Sequence, residues 1–330
     1  MRAVTNPPAA RKRTMSETRP SILDQIGGTT LLALRNVVPA NGARILVKLE
    51  NENPTGSMKD RMALAMIEGA EADGRLAPGG SVVEYTGGST GVSLSLVCAV
   101  KGYPLDIVSS DAFSREKLDH MEYLGAQLTL VESDSGGMSK QLTEDMIAAA
   151  AKLAKKPGCY WTDQLNNTDS LAAYHRMAEE IWTQTHGRID GFVQSVGTGG
   201  SLRGTAEVLR QHNEQVRIVA VEPTESAVLS GGPTGSHKIE GVGAGFVVPL
   251  WQEGVADRIE QVSTDEAVAM ALRLAGEEGL LAGTSTGGNV IAALRLAEEL
   301  GPGATVVTLM CDSGIKYLST EIFQAHTRTR

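Results

Sequence analysis

Seven short β-branched, apolar runs punctuate this 330-residue chain, at 45–49, 82–85, 107–109, 128–131, 192–196, 218–221 and 306–310. Between them lie stretches with helical periodicity, at 62–72, 142–153, 170–182, 267–278 and 290–300. Strands that alternate with helices commit a chain to parallel sheets covered by helices. The near-continuous apolar character of several runs fits strands buried on both faces. The length suits about two domains, and the turn-forming cluster Lys155-Lys156-Pro157-Gly158 is the expected break. No internal repeat or low-complexity segment stands out.

Open α/β sheets bind ligands at the carboxyl ends of their strands, so the loop after each run is where chemistry is expected. Thr86-Gly87-Gly88-Ser89-Thr90-Gly91 follows 82–85 and opens a helix. Gly197-Thr198-Gly199-Gly200-Ser201 follows 192–196 and opens another. Backbone N–H groups at a helix N-terminus attract anions, and glycines let the anion approach. The Gly197 loop is the better phosphate cradle, because Thr198 and Ser201 add hydroxyl donors. Three more glycine clusters follow: Gly241-Val242-Gly243-Ala244-Gly245-Phe246, Gly283-Thr284-Ser285-Thr286-Gly287 and Cys311-Asp312-Ser313-Gly314. A Ser313 hydroxyl at a strand end can bond a heterocyclic nitrogen without forcing its protonation.

Asn53-Pro54-Thr55-Gly56-Ser57-Met58-Lys59-Asp60-Arg61 puts a lysine at the start of a helix. Thr55 or Ser57 is placed to cap the first turn, and Asp60 suits its electropositive end. That same end disfavours added positive charge, so the Lys59 amine should lose its proton readily. A neutral amine is a nucleophile able to form a Schiff base. Most lysines are solvated surface groups, and the surrounding loops are what set Lys59 apart.

Composition removes other classes. Lys and Arg number 30 against 39 Asp and Glu, a formal charge of −9 that argues against nucleic acid as the main partner. Cys98, Cys159 and Cys311 are far apart, which fits a reducing compartment. The six histidines show no metal-ligand spacing, so no metal is expected. No apolar run reaches membrane-spanning length. Residues 1–15 lack the apolar core of a secretory signal; they read as a disordered extension, with Met15 an alternative start, and the expected location is cytoplasmic.

Two rival chemistries fit fragments of the pattern. Gly283-Thr284-Ser285-Thr286-Gly287 matches the G-x-S-x-G elbow of serine hydrolases, with Asp312 and His326 following in hydrolase order. His326 lies in a polar tail that would hold a base poorly, and no H-G-G-G segment is present. The Gly197 loop followed by Glu222 resembles a dinucleotide-binding unit, but Leu202 stands where the third glycine belongs. A lone phosphate suits the loop better than a pyrophosphate.

Taken together, these segments resemble the fold-type II pyridoxal-phosphate enzymes, within them the cysteine synthase (O-acetylserine sulfhydrylase) and cystathionine β-synthase branch. The resemblance runs from about residue 22 to 320. It is carried by Ile26-Gly27-Gly28-Thr29-Thr30-Leu31, the Lys59 segment, the Gly197 loop, Glu222-Pro223, 228–232, 237–246, and Asp312-Ser313-Gly314 with Tyr317-Leu318-Ser319-Thr320. It implies a tryptophan synthase β-like fold, with two mostly parallel, helix-flanked sheets and an active site in the cleft between domains. The implied divisions are a smaller domain at 55–158 and a larger one from 16–54 plus 159–322.

By that resemblance Lys59 carries the pyridoxal 5′-phosphate, Gly197, Thr198, Gly199, Gly200 and Ser201 hold its phosphate, and Ser313 partners its pyridine nitrogen. Ser89 stands where the family has an asparagine that bonds the cofactor's phenolic oxygen. Thr86, Gly87, Gly88, Thr90, Gln164 and Gly243 would bind the amino-acid substrate. Gly87 replaces a serine, Cys311 stands where proline is common, and Ile315 where glutamate is. The implied reaction is β-replacement on O-acetylserine or a similar serine derivative with sulfide, giving L-cysteine. Cystathionine β-synthase, cysteine desulfhydrase and serine/threonine dehydratase activities are alternatives on the same fold, and a non-catalytic homologue is a further one. The resemblance also implies a homodimer and, as a partner, the C-terminal tail of a serine acetyltransferase.

Overall fold

The computed structural model describes residues 20–40, 42–133 and 140–328; the extension expected at 1–15 lies outside them. In chain order come β1 (Leu31–Ala33), β2 (Arg44–Leu49), α1 (Lys59–Asp73), β3 (Ser81–Tyr85), α2 (Ser89–Lys101), β4 (Leu105–Ser110), α3 (Arg115–Tyr123) and β5 (Gln127–Val131). Then follow α4 (Lys140–Leu153), β6 (Cys159–Trp161), α5 (Asp169–Gln184), β7 (Gly191–Ser195), α6 (Gly200–His212) and β8 (Arg217–Pro223). The chain closes with β9 (Arg258–Val262), α7 (Thr264–Arg273), α8 (Thr284–Leu300), β10 (Thr305–Met310) and α9 (Glu321–Arg328).

The strands form two sheets. One has the order β1-β2-β10-β7-β8-β9, parallel except for β1, which pairs antiparallel with β2. The other is all parallel, in the order β5-β4-β3-β6. All seven expected runs are strands, and β10, β7 and β8 are buried along almost their whole length, as their near-continuous apolar character suggests.

The expected boundary at Gly158 falls one strand early. Ser81, Val82 and Val83 of β3 pair with Cys159, Tyr160 and Trp161, so β6 belongs to the four-stranded sheet. Pro157 and Gly158 are a turn into that sheet, and not a linker out of it. One apolar cluster joins the small sheet to a face of the large one, through Val82, Ile107, Met58, Tyr174 and Phe192. A second fills the other face, around Val47, Val193, Val290 and Val306. No helix among the described residues is long and apolar enough to cross a membrane.

Candidate active site

Lys59 is the first residue of α1, and two constraints fix it. The first lies in its own helix. Arg61 reaches Glu50 twice, Nε to Oε2 at 2.7 Å and Nη2 to Oε1 at 2.9 Å, and its Nη1 meets Glu180 Oε1 at 2.8 Å. The guanidinium fork thereby anchors α1 to the end of β2 and to α5. The second is a two-stranded stitch below the lysine. Met58 N donates to Cys311 O at 2.9 Å and Ser313 N donates to Gly56 O at 3.0 Å, bridging Ser57 to Asp312. The start of α1 is therefore tied to the loop after β10.

The capping expected of Thr55 runs the other way. Thr55 N and Oγ1 both donate to the Asp60 carboxylate, at 2.7 and 2.5 Å, and Ser93 Oγ adds a third bond at 2.6 Å. Asp60 is fully buried, and desolvation raises its pKa against those bonds. Ser57 does serve the helix, its Oγ accepting from Lys59 N at 3.2 Å.

The Lys59 side chain opens onto a cavity of about 180 Å³ between the two sheets. It is partly accessible from that cavity yet shielded from bulk water, and desolvation lowers its pKa. Lys117 lowers it further, while Cys311 and Asp312 oppose the shift. No hydrogen bond or ion pair is made by its amine among the described residues.

Facing Lys59 is the loop from β3 to α2. Thr86, Gly87, Gly88, Ser89 and Thr90 all line the cavity, as does Gln164. Gly88 has φ +133° at the start of α2, and its N–H donates to Thr86 Oγ1 at 3.0 Å. Gln164 is held at both ends of its amide: Nε2 donates to Tyr85 O at 2.8 Å, and Oε1 accepts from Thr90 Oγ1 at 2.8 Å. Its backbone N–H donates to the buried Glu84 carboxylate at 2.9 Å. Ser89 Oγ turns toward Asp312, donating to Oδ2 at 2.9 Å, where Tyr317 Oη also donates at 2.6 Å.

The Gly197 loop joins β7 to α6. A Cβ on Gly197 would lie 2.4 Å from Gly241 O, and Gly199 sits at φ +86°, so both positions need glycine. Gly197, Thr198 and Ser201 line the cavity, while Gly199 and Gly200 lie behind them and shape the turn. The first N–H groups of α6 have no intrahelical acceptor, and they form an anion cradle. Beside it Gln194 Oε1 and Ser195 Oγ are buried without a partner. Gly243 (φ +63°) lines the same wall, and a Cβ there would lie 2.6 Å from His237 Nε2. Glycine-shaped space, helix N–H groups, unpartnered polar atoms and a desolvated amine on one cavity fit an anionic, carbonyl-bearing cofactor.

One expected residue is placed elsewhere. Ser313 caps the short helix 314–317, its Oγ accepting from Ile315 N at 3.3 Å, and it does not line the cavity. The stitch to Gly56 holds its backbone in that orientation. A serine that does line the cavity beside Cys311 is Ser285, buried in the first turn of α8; the Cys311 thiol accepts from Asn289 Nδ2 at 3.3 Å. Burial pushes that thiol up to about 11, so it stays neutral. Ser285 belongs to the Gly283–Gly287 segment, which invites a hydrolase reading from its pattern alone. The His326 side chain that such a reading needs lies outside the described residues.

Comparison with known proteins agrees with this chemistry. Residues 22–312 match the family described as "Pyridoxal-phosphate dependent enzyme". A cysteine synthase of Staphylococcus aureus is 41% identical over 305 residues, spanning 92% of this chain and 96% of that protein. The crystal structure of a cysteine synthase from Entamoeba histolytica superposes with a TM-score of 0.87 at 37% identity, covering 98% of this chain and 94% of that one. An O-acetylserine-dependent cystathionine β-synthase from Helicobacter pylori gives a TM-score of 0.85 at 33% identity, covering 94% and 100%.

Proposed function

The chain belongs to the pyridoxal-phosphate-dependent enzymes of fold type II, and from that premise we propose that it makes L-cysteine from O-acetylserine and sulfide. In that reaction the Cβ–O bond to acetate breaks, a Cβ–S bond forms, and cysteine and acetate are the products. The observation that carries the reading is the meeting, on one cavity, of an unpaired, desolvated Lys59 amine with the Gly197 cradle and the Thr86–Thr90 loop. When bound, pyridoxal phosphate accepts the electron pair released at the substrate α-carbon and so lets the β-substituent leave.

The chain's residues supply the rest. Lys59 holds the cofactor and, once released by the substrate, takes the α-proton as general base, a role its lowered pKa suits. The first-turn N–H groups of α6, with Thr198 and Ser201, hold the phosphate. Ser285 offers a neutral hydroxyl to the pyridine nitrogen, leaving that nitrogen unprotonated and favouring β-chemistry; this role passes to it from Ser313. The Gly87 N–H, the first-turn N–H groups of α2 and the second Nε2 hydrogen of Gln164 would hold the substrate carboxylate, while Thr86 and Thr90 shape the loop through their bonds to the Gly88 N–H and Gln164 Oε1. Ser89, whose hydroxyl hydrogen is donated to Asp312, would reach the cofactor's phenolic oxygen only through water.

The cavity separates a smaller unit, taken as 55–161, from a larger one, 16–54 plus 162–322. A homodimer, a cytoplasmic location and binding of a serine acetyltransferase C-terminal tail complete the proposal; they rest on the resemblance and on three unpaired thiols. The test is product analysis of O-acetylserine, O-phosphoserine or serine, each with sulfide or homocysteine. Cysteine should form fastest from O-acetylserine and sulfide, and borohydride should fix the cofactor to Lys59. A Lys59→Ala protein with full activity, or no cysteine from any donor, would sink the reading.

A further inference from the structure

We propose that Phe113 is a specificity-determining residue that limits the sulfur nucleophile to one about the size of sulfide; the proposal rests on the β-replacement reading above. Gly87 does not have the left-handed backbone that demands glycine, so its local conformation would accept any side chain. What forbids one is the Phe113 ring: a Cβ at Gly87 would lie 2.9 Å from Cε1 and 3.0 Å from Cζ. The neighbouring position is filled in the same way, since a Cβ at Gly88 would lie 2.3 Å from Lys117 Cδ. Side chains from the turn after β4 and from α3 thus occupy the space above the Thr86–Thr90 loop that its own side chains would take.

The ring is held in place. Phe113 N donates to Ser110 O at 3.3 Å, and the adjacent Ser114 Oγ donates to Lys316 O at 2.6 Å. One turn on, Lys117 pairs with Glu240 Oε2 at 2.5 Å and lies 4.1 Å from the centre of the Tyr317 ring. The Phe113 ring itself is partly buried against the apolar cluster that joins the two sheets. The space is also small. The cavity measures about 180 Å³, against roughly 300–1,000 Å³ for small-molecule sites, and it must take the cofactor and the serine donor as well. The Phe113 ring offers no partner to the carboxylate of a second amino acid, which would lose its hydration against it.

The test compares kcat/KM for homocysteine and for sulfide with O-acetylserine, in holoenzyme whose cofactor absorbance matches wild type. Phe113→Ala should raise the homocysteine-to-sulfide ratio at least ~10-fold, the range in which pocket volume discriminates. Phe113→Leu, which keeps an apolar filler, should give an intermediate ratio and decides the matter if the alanine variant does not fold. A double-mutant cycle tests the packing. Gly87→Ala should reduce turnover with sulfide in wild type and cost several-fold less in the Phe113→Ala background. A ratio unchanged in both Phe113 variants, or a wild type that uses homocysteine as well as sulfide, overturns the proposal. Failure of the underlying reading shows separately, as wild type that takes the donor but yields no thiol product.

Discussion

Two serines at the scale of single residues carry opposite expectations. Ser285 lines the cavity beside Cys311, whereas Ser313 spends its hydroxyl on Ile315 N. Ser285→Asp would place a carboxylate at the pyridine nitrogen and hold a proton there, so turnover should drop at least ~100-fold, since general acid–base and charge effects of this size are common, with the cofactor still bound. Ser313→Ala should leave turnover within about twofold and cost ~0.5–2 kcal/mol in urea unfolding, the usual loss of a cap. The reverse pattern would return the role to Ser313. Both serines follow apolar runs and both precede a helical turn, so pattern alone separates them poorly. Lys59, by contrast, was legible because its segment, the Gly197 loop and the Thr86 loop constrain one another.

Elements near the site were legible where they are central and obscure where they are marginal. The three strands absent from the sequence pattern, β1, β6 and β9, are all sheet edges. β1 and β6 have three residues each, and β9 reads Arg-Ile-Glu-Gln-Val, so neither length nor an apolar run marks them. The end of β3 hides a more consequential feature. Glu84 is fully buried with neutral partners: its Oε2 accepts from Thr162 Oγ1 at 2.5 Å and Gln164 N at 2.9 Å, and its Oε1 from Tyr85 N at 2.9 Å. Desolvation pushes its pKa up to about 7 from 4.5, despite those bonds. The folded protein then binds more protons than the unfolded chain between these values, so Glu84 lowers stability as pH rises through that window. The stability of wild type relative to Glu84→Gln should fall by on the order of 3 kcal/mol from pH 4.5 to 8. Urea unfolding across that range measures it, and a difference independent of pH would refute the assignment.

The whole molecule is held across its cleft by contacts that no local pattern announces, because each joins residues more than a hundred positions apart. Ser89 meets Asp312, Ser114 meets Lys316 O, the Glu116 carboxylate accepts from Ser319 N at 2.6 Å, and Lys117 pairs with Glu240. Three of the four start from the turn after β4 and from α3, a short, charge-rich helix that the sequence left unmarked. The Lys117 pair is the most consequential, because its ammonium is only 2% exposed while Glu240 is 27% exposed. Removing the carboxylate strands a buried cation that keeps only the Tyr317 ring, whereas removing the cation leaves a carboxylate that water still reaches. Glu240→Gln should therefore cost about 1.5–3 kcal/mol, the usual worth of a hydrogen bond to a charged group, and Lys117→Met should cost less. The double variant should cost less than the sum by ~0.5–3 kcal/mol, the coupling seen for residues in direct contact. Urea unfolding of the four proteins at one pH and salt concentration measures the cycle. Strictly additive costs would show that the pair does not tie α3 to the Glu240 loop, and the roof over Gly87 and Gly88 would then owe its position to packing alone.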